Sequence, residues 1–372
     1  MNVILPRTLG ALERGRSEGL HTGAQLYVSL HGKTLVDAAL GEARPGIEMR
    51  PDTLTPWLSS GKPITAVAIA QQVERGSLAW DTPVASVVPE FAEGGKQGIT
   101  LRHLLTHTAG FRGADKLPPD LTWDETIAHI CQTPLEDGWI PGAKAGYQMF
   151  SSWYVLGEMV QRATGKPFAE YVRQNIFKPL GMMDSWIGMP ADRLPDFTGR
   201  IGFLHVSERG SPLRPLAGWD TEKSCLPCRP GSNARGPVRE LARFYEALLK
   251  MREDVTPVSA SIPVLQSETV RLLTTRHRAG LFDETFRHTL DWGLGFLINS
   301  HHHGAATAPY GYGPHASPDT FGHSGSQSSC AFADPQHGLV VAWHCNGQPG
   351  EPRHQKRARE INTLIYEELG LK

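Results

Sequence analysis

Leu58-Ser59-Ser60-Gly61-Lys62-Pro63-Ile64-Thr65, continuing through Ala66–Arg75, is the stretch whose reading decides how the rest of the chain is organised. Ser59 stands three residues before Lys62, and positions i and i+3 share one face of a helix. The hydroxyl and the amine therefore meet within one turn. Pro63 lacks an N–H and is tolerated only near a helix start, so Ser59–Lys62 is expected to form the opening turn. Behind it, Ile64, Val67, Ala68, Ile69 and Val73 leave little polar face, as in a buried helix. Gly76 is placed to end it as a left-handed cap. A serine at the N-terminus of a core helix sits among free backbone N–H groups and a positive dipole end, where a developing oxyanion is favoured.

Around this turn, the 372 residues are enough for a large core and for two domains or one elaborated one. A net charge of −1 with 20% charged residues gives no electrostatic footprint for nucleic acid or for an anionic membrane surface. No apolar run reaches the roughly 20 residues of a membrane span. The N-terminus, Met1 to Arg7, lacks the basic and apolar regions of an export signal, so a cytoplasmic location is expected. The five cysteines (Cys131, Cys225, Cys228, Cys330, Cys345) are odd in number and widely spread, which fits a reducing compartment. Cys225-Leu-Pro-Cys228 has no second ligand pair at zinc-site distance and reads as free loop cysteines.

Helical spacing over Thr8–Leu20 is followed by two β-rich runs flanking a turn at His31-Gly32-Lys33. From Trp80 to about Gly280 the segments are mostly helical. They include the Thr100-capped helix ending at Gly110, Ser151–Ala163, Phe168–Phe177 and Pro237–Met251. Strand character returns at Trp292–Ile298, Cys330–Ala333 and Gly338–His344, and Arg357–Leu369 reads as the last helix. Strands at both ends with helices between imply an α/β (α+β) architecture. Residues 1–78 and 281–372 are expected to build a sheet lobe flanked by terminal helices, and residues 79–280 an inserted helical lobe, with the active site between them. The loop Asn299–Thr320, carrying His301-His-His303, reads as a mobile flap bordering that site rather than as a metal site.

Taken together, these segments resemble the serine β-lactamase and penicillin-binding-protein superfamily, most closely the class C-like esterases of family VIII type and related acyltransferases. The resemblance rests on Ser59-x-x-Lys62-Pro63, Ile99–Gly110, Pro141-Gly142…Tyr147, Gly165-Lys-Pro-Phe168…Pro179-Leu-Gly-Met182 and Gly322-His-Ser-Gly325. It implies a β-lactamase/transpeptidase-like fold with an antiparallel sheet, and Ser59, Lys62 and Tyr147 as catalytic residues. It implies an oxyanion hole from the backbone N–H groups of Ser59 and Ser326, with Met149, His323, Ser324 and Gly325 binding substrate. No cofactor and no metal are implied. The base stays open: Lys62 if its pKa falls, Tyr147 if Lys62 and His323 lower the phenol, or the two sharing one proton. Ser324 is a competing serine, but Gly322-x-Ser324-Gly-Ser326 is not the G-x-S-x-G elbow, and strand-like sequence rather than a helix follows it. His103 and His107 lack an H-E-x-x-H pattern and read as structural.

Two departures from the family pattern set the expected substrate. Met149 stands where asparagine is usual and His323 where lysine is usual. Methionine cannot donate to an amide side chain, and a neutral histidine holds a carboxylate less firmly than lysine. The expected activity is a serine hydrolase acting on small carboxylic esters through an acyl-enzyme. Acyl transfer by the same intermediate, then β-lactamase or D-alanyl-D-alanine carboxypeptidase activity, and then a catalytically silent binding scaffold, are the alternatives.

Overall fold

In the computed structural model, which describes residues 5–207, 211–253 and 264–372, the chain's two ends meet in one sheet. Met1–Ile4, part of the stretch read for an export signal, lie outside the described residues. Helix α1 (Pro6–Ser17) precedes the hairpin β1 (Gly23–Leu30) and β2 (Lys33–Arg44), with β3 (Ile47–Glu48) at the edge. From the C-terminal part come β4 (Asp291–Trp292), β5 (Leu297–Ile298), β6 (Phe321–Gly325), β7 (Ser329–Asp334) and β8 (Leu339–Cys345). The order is β4-β5-β6-β7-β8-β1-β2-β3, every pairing antiparallel.

Strand periodicity explains how two cores form on this sheet. Leu26, Val28, Val341 and Trp343 pack with Leu12 of α1 and with Ile361 and Ile365 of the C-terminal helix Glu351–Glu368. Tyr27, Val340 and Ala342 point the other way, into a cluster with Ile64, Leu241 and Phe244. That second face is covered by α2 (Lys62–Glu74) and by the helix Val238–Arg252. Every residue of α2 from Lys62 to Gln72 is buried, as its apolar sequence requires. Gly76, at φ 73°, follows it in the left-handed conformation that closes the helix.

Several boundaries differ from expectation. Leu58–Gly61 is a 3-10 turn running into α2 rather than its first α-helical turn. The Ser59 carbonyl accepts from the Lys62 N–H, because Pro63, the residue that would bond it α-helically, has no hydrogen to give. Trp292–Ile298 is not one strand: Gly293 and Gly295 break it into the β4–β5 hairpin, with the Gly293 N–H on the Phe296 carbonyl at 2.9 Å. The last helix begins at Glu351, six residues before Arg357, with Pro352 in its first turn. The helix expected over Phe168–Phe177 is α-helical to Val172 and then widens into a π turn, Arg173–Phe177.

Among the described residues no helix is long and apolar enough to cross a membrane, and all five cysteines are free thiols.

Candidate active site

The turn carrying Ser59 is wedged against the end of β6. Trp57 donates its backbone N–H to Ala234 and its indole N–H to Gly236, at 2.8 and 2.9 Å. Ser60 donates to the His323 carbonyl at 3.2 Å, and Ser329 to the Trp57 carbonyl at 2.7 Å. Gly325 is required here, because a Cβ would collide with the Trp57 carbonyl and the Ser329 hydroxyl. Leu58, one residue before Ser59, is held at φ 51°, a conformation that a leucine adopts only when its surroundings impose it.

Ser59 is half-buried, and its hydroxyl lies 3.0 Å from the Lys62 amine. That amine is fully buried and also donates to the Met149 carbonyl at 2.8 Å and the Gly231 carbonyl at 2.7 Å. Burial pulls its pKa down to about 7, against an opposing pull from the Asp115 carboxylate. The consequence is geometric as well as energetic. A neutral amine has two hydrogens and one lone pair, and both carbonyls can only accept. In the neutral state the two hydrogens therefore go to Met149 and Gly231, and the lone pair is left for Ser59.

Tyr147 borders the same cavity as Ser59, and the Ser59 hydroxyl is near enough to act on its phenol. Its ring lies 5.2 Å from the Lys62 amine. Burial pushes the phenol well above its ordinary pKa, so Tyr147 is protonated. The residue is held on all sides. Its N–H donates to the buried Asp283 carboxylate at 3.1 Å, and its carbonyl accepts from the Thr285 hydroxyl at 3.0 Å. Its ring packs on His107 at 4.5 Å and on Phe286 at 4.7 Å between centroids. Asp283 is itself paired with buried Arg278 at 3.1 Å.

Sequence reasoning missed Asp115. Its carboxylate accepts from the backbone N–H groups of Met149 (2.6 Å), Phe150 (2.9 Å) and Ser151 (2.8 Å), and from the Ser151 hydroxyl (2.8 Å). It thereby caps the helix Ser151–Thr164 and fixes the carbonyl of Met149 on Lys62. Nothing in the sequence marks it, because its partners lie 34 to 36 residues away. His103 and His107 are structural, as read. His103 completes the capping box at Thr100, and His107 Nδ1 accepts from the Gln148 N–H at 3.1 Å.

Leu58, Ser59, Tyr147, Met149, His323, Ser324 and Ser326 all border one cavity of about 590 Å³, and Gly325 lies behind its wall. Phe150, Phe286, Leu290, Trp292, Leu297, Pro309 and Tyr310 make the rest largely apolar, with Glu351 and Gln355 at one side. No lysine or arginine is among these bordering residues. His323 is pushed down to about 3 by burial and by Lys62. Its Nδ1 donates to the Ser324 carbonyl at 2.8 Å, so Nε2 carries a bare lone pair. Ser324 sits within a strand followed by another strand, with its hydroxyl on the Tyr310 carbonyl at 3.5 Å.

The loop Asn299–Thr320 borders the cavity through Pro309 and Tyr310, but it is fastened rather than free. Asn299 donates to the carbonyls of Ala316 and Ser317, both at 2.9 Å, and the buried Tyr312 hydroxyl to Leu297 at 3.0 Å. A flap swinging as one piece would keep the two Asn299 bonds, which close the loop on itself, but would break the Tyr312 bond that ties it to β5.

The sequence matches the Beta-lactamase family from residue 10 to residue 364. It is 39% identical to Esterase EstB of Burkholderia gladioli over 184 residues, 44% of this chain and 46% of that protein. The matched segment thus spans about half of that relative's length. Over 90% of this chain and 79% of the other, it is 25% identical to Esterase/beta-lactamase LipL of Mycobacterium tuberculosis. A penicillin-binding protein homologue from Caulobacter crescentus superposes with a TM-score of 0.75 at 27% identity, covering 98% of this chain and 97% of that one. With an antiparallel sheet closed by both termini and a family match along nearly its whole length, this chain belongs to the β-lactamase family.

Proposed function

We propose that this protein is a serine hydrolase of the carboxylesterase type that takes small, neutral esters through an acyl-enzyme on Ser59. One observation carries the reading: the carbonyls of Met149 and Gly231 use both hydrogens of a neutral Lys62 and leave its lone pair for the Ser59 hydroxyl. Lys62 takes the Ser59 proton as Oγ attacks the acyl carbon. The backbone N–H groups of Ser59 and Ser326 hold the oxyanion, such donors contributing about 2.7–4 kcal/mol each. Tyr147, protonated, gives its proton to the departing alkoxide and regains one from Lys62. Water, entering in place of the alcohol, repeats the sequence and releases the acid. The sheet strands of 1–78 and 281–372 would hold Ser59 and the β6 edge, and the helical segment 79–280 would supply Tyr147.

Related names support an ester substrate, since EstB is called an esterase and LipL an esterase/beta-lactamase. The cavity wall supports it independently. A β-lactam brings a carboxylate to a wall with no lysine or arginine and a neutral His323. It also brings an amide to the Met149 side chain, which has no donor. An amide carbonyl left unpaired costs about 1–3 kcal/mol, one to two orders of magnitude in rate. Short-chain p-nitrophenyl esters should therefore be hydrolysed readily and nitrocefin slowly or not at all. Nitrocefin turning over faster than every ester in a chain-length series would overturn the reading.

Asp115 offers a sharper test. Its carboxylate holds the proton on Lys62, so Asp115→Asn should move the acidic limb of the pH–rate profile to lower pH. It should also cost about 1.5–3 kcal/mol of stability, as expected for a lost charge-assisted hydrogen bond. Lower stability with an unmoved limb would make Asp115 a helix cap and nothing more.

A further inference from the structure

We infer that Asp291, His302 and His303 form a divalent-cation site of the Zn²⁺ type, fastening the loop Asn299–Thr320 to the sheet. The Asp291 side chain is 1% exposed, on β4. His302 and His303 occupy the short 3-10 turn His301–His303, and both turn Nε2 toward that one carboxylate, at 3.2 Å and 2.9 Å. The three ligand atoms lie within 4.8 Å of one another. Bonds of about 2.0–2.1 Å in a tetrahedral site put ligand atoms roughly 3.3 Å apart. His302 faces Oδ2 and His303 faces Oδ1, each near that spacing, so closing on one ion calls for side-chain adjustment rather than movement of the backbone.

The carboxylate does not need two histidines. Oδ1 already accepts from the Gly280 N–H at 3.0 Å and Oδ2 from Arg276 at 3.0 Å. Those two bonds are also what an outer shell provides: they fix the carboxylate's orientation before a metal arrives. Arg276 does not make the site too positive for a cation. It is shared with Asp319 at 3.4 Å, so Asp291 and Asp319 (−2) against Arg276 (+1) leave −1 with both imidazoles neutral. Two imidazoles and one carboxylate suit Zn²⁺ better than the all-oxygen preference of Mg²⁺ or Ca²⁺. On binding, each imidazole shifts its proton from Nε2 to Nδ1, so no net proton is lost. The half-exposed His302 leaves the fourth position open to water. The site lies one residue from Leu290 and Trp292, and its loop carries Pro309 and Tyr310 into the cavity wall.

The test is titration of chelator-treated protein with ZnCl₂ by calorimetry, alongside His302→Ala, His303→Ala and the exposed control His31→Ala. One equivalent should bind wild type and the control, and Zn²⁺ should raise their Tm. Each loop variant should bind at least tenfold more weakly, the usual scale even for losing an outer-shell partner, and show no Tm shift. Both keep ester turnover in metal-free buffer, which reports that they are folded. Binding that is unchanged in both variants, or absent from wild type at sub-millimolar Zn²⁺, overturns the proposal.

Discussion

Ser59→Ala is expected to reduce ester turnover by about five to six orders of magnitude, the scale seen when the nucleophile of a serine hydrolase is removed. The alanine loses the hydroxyl that meets the Lys62 amine and lies near the Tyr147 phenol. Folding should be little affected, because the Ser59 side chain is half-exposed at the cavity and the neighbouring turn is held by Trp57, Ser60 and Ser329. A fluorophosphonate probe checks the assignment directly. Intact mass should show one adduct on wild type and none on Ser59→Ala, and peptide mapping should place it within residues 58–62. An adduct on Ser324 would move the chemistry to the β6 strand and sink the assignment.

The second large effect concerns the base. Lys62→Ala and Tyr147→Phe should each slow acylation by roughly two to four orders of magnitude, the usual range for lost proton transfer. Their double variant should fall far short of the product, as for groups acting as a unit. The pH dependence separates their roles. Lys62 accepts a proton only when neutral, and its pKa stands at about 7. The rate should therefore rise through pH 7 and level off above it, falling about tenfold per pH unit below. Tyr147→Phe should lower the plateau and keep this limb, whereas Lys62→Ala should abolish it. A limb that survives Lys62→Ala would give the base to another group.

The sequence could not rank lysine against tyrosine because burial acts on them in opposite senses. Excluding water disfavours the charged form of each, which frees the Lys62 lone pair but locks the Tyr147 proton in place. Local spacing made Ser59 and Lys62 legible, since one turn joins them. The alternation in β1 and β8 made the sheet legible in the same way. Met149 and Gly231 escaped notice as partners of Lys62 because they act through carbonyl oxygens, which every residue has. Asp115 escaped because it is brought in only by the fold. The early start of the last helix was signalled: Gly350-Glu-Pro352 puts proline at a first-turn position. The break at Gly293 and Gly295 was signalled too, by two glycines within a short apolar run.

Met149 also bears on how such an enzyme diversifies. Its backbone is committed twice, the N–H to Asp115 and the carbonyl to Lys62, while its side chain is 46% exposed and borders the cavity. Main-chain duties survive almost any codon change, so position 149 joins a backbone task that nearly any residue can perform to a side chain left free to change. Selection can try new side chains there against new acyl groups one mutation at a time, without passing through a catalytically dead ancestor.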